Sequence, residues 1–431
     1  MTIVSRFQDK TARIGILGLG YVGLPLAVEF CRRGFQVAGF EVNADRVRSL
    51  KKGRSYVEDV PGAEVARLLK SGRLSVQESF EAVSRCDALL ICVQTPLSKS
   101  KEPDLSNVIA AATQASKRLK RGALVVLEST IPPGVTEEIV RPILEAGRRR
   151  LGKEFFLAFS PERVDPGNKR FGIANTPKIV GGADAASTEL ARGLYSQVVA
   201  TVVPVSSARA AEMAKLLENS FRAVNIALVN EMAQICHRLG VDVWEVIGAA
   251  ATKPFGFMPF YPGPGIGGHC IPKDPQLLIW KMKELQYEPR FLQLASTING
   301  GMPAYVVERL GQLLNARKRA LNGSRLLVLG IAYKAGTSDY RESPALDVME
   351  LLAARGARVS YHDPFVPSAR VARRVLRSSP LSAKGVAAAD AVLILTAHPG
   401  IDYRAVARRA RLVFDARNAL GGGAAPKVAR L

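Results

Sequence analysis

The sequence lacks a hydrophobic run long enough to cross a lipid bilayer, and its amino terminus lacks the layout of a secretory leader. The apolar stretch that begins at Ile14 is broken by glycines and continues directly into a helical pattern. No uninterrupted apolar segment approaches the length that a transmembrane helix requires. We therefore expect a soluble cytoplasmic protein that does not insert into membranes.

Cysteine is scarce, with five residues in a chain of 431, and no two of them form a CxxC pair. An odd number without such pairs argues against a disulfide scaffold and against a zinc site, so we expect no metal centre. Four cysteines lie in apolar patterns typical of small buried residues: Cys31, Cys86, Cys92 and Cys236. Cys270 instead lies in a glycine-rich loop.

Acidic residues are outnumbered, because 60 Lys and Arg oppose 38 Asp and Glu and give a formal net charge of +22. Such a charge attracts anions, which include nucleic acids, membrane surfaces and phosphorylated small molecules. The alternative interpretation is a solvated, arginine-rich surface. The basic residues form short scattered groups and match no nucleic-acid-binding module, so we expect no nucleic-acid partner.

Hydrophobic residues make up 48% of the chain, and its length favours two or three domains. Short apolar segments alternate with helical patterns in both end regions, which predicts an α/β fold with two Rossmann-like, doubly wound domains. Between them, Ala208 to Leu239 contains neither Gly nor Pro and predicts one helix of roughly 45 Å. We expect an amino-terminal domain over 1–204, a helical middle domain over 205–315 and a carboxy-terminal domain over 316–431.

The segments that read as strands are short and apolar. They are Arg13–Leu17, Gln36–Phe40, Ala88–Val93, Ala123–Leu127, Phe155–Phe159 and Lys178–Val180 in the first region, and Ser324–Leu329, Arg358–Tyr361, Ala391–Leu395 and Leu412–Phe414 in the last. Strands that alternate with helices predict parallel sheets.

A GxGxxG fingerprint follows the first predicted strand and opens a helix. It consists of Gly18, Leu19, Gly20, Tyr21, Val22 and Gly23. The glycines permit a tight turn, a close approach of the backbone to a pyrophosphate and close packing of helix on strand. Glu41, at the end of the next predicted strand, suits the adenosine ribose hydroxyls and disfavours a 2′-phosphate, so we expect NAD and not NADP. Arg46 is either an adenosine contact or a solvated helix residue.

Three more polar residues stand just beyond the carboxyl ends of predicted strands: Thr95, Thr130 and Glu162. In an open parallel sheet, ligands bind at that edge. On the long predicted helix, Glu212, Lys215 and Asn219 share one face, and a lysine and an asparagine one turn apart can donate to an oxyanion.

The loop GPGIGGHCIPKD, residues 263–274, surrounds Cys270 with glycines that let a backbone approach a ligand closely. Lys273 favours the thiolate, which is the reactive form of the cysteine. His269 is adjacent in sequence, so its side chain diverges from that of Cys270, and a backbone or substrate contact is favoured over a Cys-His dyad.

Six segments, in order along the chain, resemble those of the UDP-glucose/GDP-mannose dehydrogenase family: GLGYVGLPLA, STIPPG, SPERVDPGN, AEMAKLLENSFRAVNIALVNE, GGHCIPKD and AYKAGTSDYRESPAL. The resemblance covers essentially the whole chain. It implies oxidation of a sugar C6 alcohol to a carboxylate with two NAD molecules in succession. Cys270 would trap the intermediate aldehyde as a thiohemiacetal, which the second oxidation would convert to a thioester. The product would serve as a precursor of a surface polysaccharide.

The resemblance also implies roles for individual residues. Lys215 and Asn219 would stabilise oxyanions, and water would be positioned or activated by Thr130, Glu162 and Asp274. NAD would be contacted by the fingerprint residues, by Glu41, Arg46, Thr95 and Thr130, and also by Lys273 and Arg341. The UDP-sugar would be contacted by Glu162, Arg163, Lys215, Asn219, Tyr261, Gly265, Gly267, Lys334 and Arg417. A homodimer assembled through the long helix is expected.

The sugar is left open by two conflicting features. Residues 253–263, KPFGFMPFYPG, resemble the branch of the family that acts on UDP-N-acetylhexosamines, whereas Lys273 resembles the UDP-glucose enzymes. UDP-N-acetylglucosamine is favoured, with UDP-glucose, UDP-GalNAc and UDP-ManNAc as alternatives.

A two-electron β-hydroxyacid dehydrogenase or a non-catalytic NAD sensor would leave Cys270 without a role.

Overall fold

The computed structural model describes residues 2–98, 100–164, 168, 170–372, 374–422 and 426–431. Of the motif SPERVDPGN, residues Asp165, Pro166 and Gly167 lie outside the described residues. The chain forms two compact units. The first unit comprises Met1–Glu218 and Trp280–Gln286, and the second comprises Asn219–Ile279 and Tyr287–Leu431.

The first unit is built on one sheet, whose strands are β1 Arg13–Leu17, β2 Gln36–Phe40, β3 Leu74–Gln77, β4 Ala88–Ile91, β5 Ala123–Leu127, β6 Phe155–Phe159, β7 Lys178–Gly182 and β8 Val202–Pro204. Their spatial order is β3-β2-β1-β4-β5-β6-β7-β8. Neighbours are parallel except β6 with β7, where the expected parallel pairing is wrong. A parallel neighbour needs a crossover, usually a helix, and the described residues between these two strands form none.

Both faces of this sheet are buried, because its central strands are apolar at consecutive positions. In β4, Leu90 packs in one cluster with Ile14, whereas Leu89 and Ile91 pack in a second cluster with Leu17. The helices of this unit are α1 Ile3–Gln8, α2 Gly23–Arg32, α3 Ala44–Lys51, α4 Gly62–Lys70, α5 Ser106–Arg118, α6 Arg141–Glu145 and α7 Ala185–Tyr195, with a 3₁₀ turn Glu81–Arg85 and a π turn Thr136–Val140. The doubly wound arrangement is confirmed.

The middle of the chain is helical. Helix α8 spans Ala208–Leu239, with the bounds that the sequence predicted, and it begins in the first unit and ends in the second. The helices α9 Val243–Ala250, α10 Asp274–Glu284 and α11 Arg290–Asn315 follow it. Across the part of the chain that the structure describes, no helix is both long and apolar enough to cross a membrane.

The second unit contains a smaller parallel sheet with the strands β9 Arg325–Leu329, β10 Arg358–His362, β13 Ala391–Ile394, β14 Val413–Asp415 and β15 Val428–Arg430, and an antiparallel pair, β11 Ser368–Val371 and β12 Arg374–Arg377. The order in the sheet is β10-β9-β13-β14-β15. Alternate residues of β9 enter two different clusters, Leu326 and Val328 in one, Leu327 and Leu329 in the other. The remaining helices are α12 Pro344–Ala354, α13 Ala383–Ala388 and α14 Tyr403–Arg409.

Candidate active site

The loop between β1 and α2 has the backbone geometry that a dinucleotide pyrophosphate requires. Gly18 has a φ of +93°, and a Cβ there would lie 2.8 Å from a backbone carbonyl oxygen just past β4. A Cβ on Gly23 would lie 1.9 Å from the carbonyl oxygen of Gly18. Gly20 faces open space, with no described heavy atom within 4 Å of a Cβ position. Together with the exposed Tyr21 and with Val22, this loop leaves room for a phosphate at the N-terminus of α2.

Glu41 follows β2 and contacts the same loop. Its Oε2 accepts a hydrogen bond from the backbone N–H of Leu19 at 3.3 Å, and its Oε1 accepts one from the N–H of Asn43 at 3.0 Å. Nη1 of Arg46 lies 3.6 Å from Oε2. An ionised carboxylate has four acceptor sites, so Glu41 retains capacity for ribose hydroxyls.

Tyr56 is a neighbour of the glycine loop that the sequence did not indicate. Its hydroxyl donates to the carbonyl oxygen of Leu19 at 2.6 Å, and burial, together with Glu41, raises its pKa. The guanidinium of Arg46 lies 5.2 Å from the centroid of its ring, a cation–π distance. Arg46 is therefore held beside Glu41, and Tyr56 stands in a segment with no motif that would single it out.

The carboxyl ends of β4 and β5 bring Thr95 and Thr130 together, as their positions after neighbouring parallel strands predict. Oγ1 of the buried Thr95 donates to the carbonyl oxygen of Thr130 at 2.6 Å. Oγ of Ser129 donates to the carbonyl oxygen of Val93 at 2.6 Å. These bonds tie the two strand ends to each other at the ligand-binding edge of the sheet.

Glu162 and Arg163 follow β6 at the same edge. Oε1 of Glu162 accepts hydrogen bonds from the backbone N–H groups of Arg163 at 2.8 Å and Val164 at 2.6 Å. The guanidinium of Arg163 lies 2.6 Å from a carboxylate oxygen of Glu218 and donates to the carbonyl oxygen of Pro177. Two backbone groups of its own turn thus hold Oε1 of Glu162.

The three polar residues on the predicted face of α8 have different surroundings. Glu212 is buried, and its carboxylate accepts from the N–H of Gly134 at 2.6 Å and from Oγ1 of Thr136 at 2.6 Å. Burial raises its pKa, although these hydrogen bonds oppose the shift. Lys215 is buried within the first unit. Asn219, one turn later and in the second unit, donates through Nδ2 to Oδ2 of Asp274 at 2.5 Å.

Cys270 is exposed, and the other four cysteines are buried, which confirms the distinction that the sequence predicted. Its carbonyl oxygen accepts from the N–H of Lys273 at 3.1 Å and from that of Asp274, the first residue of α10, at 2.8 Å. Cys270 therefore stands one turn before the first residue of α10, and the dipole of a helix favours an anion near its N-terminus. Burial and the charge of Arg341 lower the pKa of His269, which favours a neutral imidazole.

The glycine-rich loop packs closely in the second unit. A Cβ on Gly267 would lie 2.8 Å from Cβ of Tyr333, and one on Gly263 would lie 2.4 Å from Nη1 of Arg417. Gly265 has a φ of +131°, and a Cβ there would lie 2.9 Å from a proline side chain that opens α12. The side chain of Arg417 donates to a backbone carbonyl oxygen past β13, and burial lowers its pKa to about 10.

Two other predicted substrate residues lie elsewhere in this unit. Tyr261 is exposed, and its ring stacks on Trp244 with the centroids 6.0 Å apart. Lys334 lies in the loop after β9, and the N–H of Gly336 in that loop donates to Nδ1 of the buried His398 at 3.1 Å. The guanidinium of Arg341, a predicted cofactor contact, pairs with Asp339 at 2.7 Å.

Comparison with known proteins assigns all three parts of the chain to one family. The NAD binding domain of the UDP-glucose/GDP-mannose dehydrogenase family matches residues 12–199, its central domain matches residues 209–300, and its UDP binding domain matches residues 327–422.

Individual relatives cover nearly the whole chain. The UDP-N-acetyl-D-glucosamine 6-dehydrogenase of Pseudomonas aeruginosa is 36% identical over 391 residues, which are 90% of this chain and 91% of that protein. The UDP-N-acetyl-D-mannosamine dehydrogenase of Pyrococcus horikoshii is 36% identical over 412 residues, with 94% and 95% covered. The solved structure of the UDP-D-ManNAc dehydrogenase from Pyrococcus horikoshii matches with a TM-score of 0.88 and 35% identity, covering 97% of this chain and 98% of that one. The chain therefore belongs to the UDP-glucose/GDP-mannose dehydrogenase family and is an NAD-dependent nucleotide-sugar dehydrogenase.

Proposed function

We propose that this enzyme oxidises the C6 hydroxymethyl group of UDP-N-acetylglucosamine to a carboxylate and releases the UDP-uronic acid. The observation that carries the proposal is the exposed Cys270, one turn before α10, in a chain whose other cysteines are buried. An accessible thiolate in such a position can trap an aldehyde covalently. Relatives named for UDP-N-acetylhexosamines, each 36% identical, support the choice of sugar class.

The first oxidation converts the C6 alcohol to an aldehyde. NAD, when bound, accepts one hydride in each of the two oxidations. The hydroxyl proton passes to solvent water. The buried Lys215 stabilises the alkoxide that forms, and Asn219 donates an N–H to the same oxygen. Sγ of Cys270 then bonds to the aldehyde carbon and gives a thiohemiacetal.

The second oxidation converts the thiohemiacetal to a thioester on Cys270. Water then adds to the thioester carbonyl carbon, and the carbon–sulfur bond breaks to release the carboxylate and the thiolate. Glu162 accepts a proton from this water, while Thr130 and Asp274 help to position it. One water is consumed and two NADH are formed for each sugar.

The cofactor and substrate sets follow from the family motifs and the local geometry. The residues proposed for NAD are Gly18, Gly20, Tyr21, Val22, Gly23, Glu41, Arg46, Thr95, Thr130, Lys273 and Arg341. The residues proposed for the UDP-sugar are Glu162, Arg163, Lys215, Asn219, Tyr261, Gly265, Gly267, Lys334 and Arg417. We assign NAD binding to residues 1–204, the cysteine loop and linking helices to 205–315, and UDP-sugar binding to 316–431.

A homodimer is part of the proposal. Helix α8 exposes an apolar stripe with a spacing of four and seven residues, formed by Leu217, Phe221, Leu228, Ile235 and Leu239. This spacing is typical of helices that pack against another helix. A second copy of the chain is the partner that we propose for the stripe, with the enzyme acting in the cytoplasm on precursors of a surface polysaccharide.

A panel of UDP-sugars tests the choice of substrate. The purified enzyme is incubated with NAD and with UDP-GlcNAc, UDP-ManNAc, UDP-GalNAc or UDP-glucose, and NADH absorbance and product mass are measured. We expect the highest kcat/KM with UDP-GlcNAc and a product in which the hydroxymethyl has become a carboxylate. A higher kcat/KM with another sugar of the panel would replace UDP-GlcNAc by that sugar, and no oxidation of any of them would contradict the proposal.

A further inference from the structure

A buried ion pair lies at the ligand-binding edge of the first sheet, and none of its members belongs to the predicted site. Nζ of Lys178, the first residue of β7, lies 2.5 Å from Oε2 of Glu128, which directly follows β5. The hydroxyl of Tyr195 donates to the other oxygen of Glu128, and its ring lies 5.3 Å from Nζ of Lys178. All three side chains are buried. Charged side chains are rarely buried without a specific partner, so the contact between Lys178 and Glu128 fixes the positions of both groups.

The ammonium group of Lys178 also contacts the turn that carries Glu162. Nζ donates to the carbonyl oxygen of Pro161 at 3.0 Å and lies 4.0 Å from Oε2 of Glu162. Burial acts to lower the pKa of Lys178, but the carboxylates of Glu128 and Glu162 more than offset it and raise the pKa above its usual value. The lysine is therefore a permanent cation between two carboxylates at neutral pH.

The two oxygens of Glu162 are used differently. Oε1 accepts two backbone hydrogen bonds, from Arg163 and Val164, whereas Oε2 faces the Lys178 cation at 4.0 Å. That separation is too long for a hydrogen bond, so Lys178 leaves Oε2 of Glu162 able to accept a proton. The closer contact of Lys178 with Glu128 holds the ammonium group at this distance.

We propose that Lys178, held by Glu128 and Tyr195, is a positioning residue that fixes the turn at Pro161 and so orients Glu162 for the hydrolysis of the Cys270 thioester. The inference rests on the proposed function, because it assigns a support to the base of that reaction. Lys178 forms and breaks no bond in the step. The proton of the attacking water goes to Glu162, and Lys178 keeps its charge throughout.

The hydrolysis step can be separated from the oxidations by rapid mixing. The enzyme is mixed with UDP-N-acetylglucosamine, or with the sugar that the panel selects, and excess NAD. The burst of NADH formed per Cys270 reports the two oxidations, and the later steady rate reports hydrolysis. Intact-protein mass spectrometry measures the acyl group that accumulates on Cys270, and thermal unfolding is recorded in parallel.

The key variant is the double substitution Glu128→Gln/Lys178→Met, which removes both buried charges together and avoids an unpaired carboxylate. We expect it to keep a burst of two NADH but to lose roughly 10- to 100-fold in steady rate, with acyl-enzyme accumulating, because a general base contributes on the order of 10²–10⁴-fold. Lys178→Arg, which keeps the charge, should recover part of the rate.

Lys120→Met is the matched control. Lys120 pairs with the buried Asp87 at 2.6 Å, before β4 and thus at the opposite edge of the same sheet. The Lys120→Met variant should have a lower unfolding temperature but an unchanged ratio of the burst to the steady rate. A double variant that hydrolyses at the wild-type rate, or that loses the burst as severely as the steady rate, would overturn the inference. A wild-type enzyme that forms no second NADH would contradict the proposed function itself, and that result needs no variant.

Discussion

Burial distinguishes Cys270 chemically from the other cysteines. Burial raises the pKa of Cys31 and of Cys86 to about 12, and that of Cys92 well above its ordinary value, so these three remain neutral thiols at physiological pH. Cys270 is exposed, beside a helix N-terminus. The composition of its loop was enough to predict this contrast, because glycines mark close backbone approaches and the other cysteines stand in apolar patterns.

Alkylation tests the contrast directly. Iodoacetamide at neutral pH should modify Cys270 and leave the buried cysteines unmodified, because the reagent requires an accessible thiolate. Peptide mapping by mass spectrometry measures the modified positions, and Cys270→Ser is the control that should take up no label. Labelling of Cys92 at a rate equal to that of Cys270 would contradict the assignment.

Other residues of the site could not be found from the sequence, because their roles depend on distant contacts. Tyr56 contacts Leu19 of the glycine loop, which lies 37 positions earlier in the sequence, and Lys178 contacts Glu128, which lies 50 positions earlier. Neither residue stands in a motif that the sequence made recognisable. The sequence places Glu212 on the same helix face as Lys215 and Asn219, but only the structure shows that its carboxylate binds the turn at Thr136.

Asp363 gives a prediction for acid conditions. Its buried carboxylate accepts from the N–H groups of Ile331 and Ala332 and from Nε2 of His398. Burial acts to raise its pKa, but the hydrogen bond from His398 and the backbone amides hold it below the usual value. Because the folded pKa is lower than the unfolded one, its contribution to stability is present above pH ~3.9 and is lost as the pH falls through the folded pKa.

Asp363→Asn should therefore destabilise the second unit by about 2–4 kcal/mol at pH 7, and the difference from wild type should shrink as the pH falls from about 5 to about 3. The chain has two tryptophans, and in a Trp280→Phe background the fluorescence of Trp244 reports unfolding of this unit. A difference that stays constant over this range would show that the carboxylate charge contributes nothing.

At the scale of elements, the sequence predicted the buried strands and α8 closely and missed short strands at the edges. The strand β3 (Leu74–Gln77) buries only alternate residues, and β8 (Val202–Pro204) ends in a proline, so neither gives a continuous apolar signal. The strands β11, β12 and β15 have only three or four residues each, and polar side chains interrupt each of them. These strands form because they pair with a neighbouring strand, and a local sequence pattern does not show which strand that is.

The β1–α2 turn yields a matched pair of substitutions. Gly20→Ala should leave the unfolding temperature unchanged, because its Cβ meets open space, but should weaken NAD binding by roughly tenfold, about 1.4 kcal/mol. Gly23→Ala forces a Cβ against the Gly18 carbonyl oxygen and should destabilise the first unit by about 2–3 kcal/mol. Calorimetric NAD titration and thermal unfolding measure the two effects. Equal destabilisation by both would contradict the assignment of open space to Gly20.

The apolar stripe of α8 predicts the oligomeric state. Leu228→Lys combined with Ile235→Lys should convert a dimer to a monomer, because two charges would be buried in the proposed interface. Sedimentation velocity measures the mass. Arg222→Glu, an exposed charge reversal on the same helix away from the stripe, should leave the dimer intact. A wild-type protein that sediments as a monomer at micromolar concentration would exclude this interface.

At the scale of the whole molecule, the residues proposed for catalysis are widely separated along the chain, from Thr130 to Asp274. Family motifs identified this set from the sequence, whereas periodicity alone relates only Lys215 to Asn219, which are one helical turn apart. The order of strands and the antiparallel β6–β7 pair were beyond the sequence pattern, because both depend on contacts between distant segments.

The central claim is that one covalent cysteine couples two oxidations, and the stoichiometry of NADH tests it most directly. UDP-N-acetylglucosamine, or the preferred sugar of the panel, is consumed to completion with excess NAD, and NADH and the UDP-uronic acid are quantified together. The account predicts two NADH for each sugar in the wild-type enzyme and no carboxylate product from Cys270→Ser. One NADH per sugar with free aldehyde accumulating, or full conversion to the acid by Cys270→Ser, would contradict it.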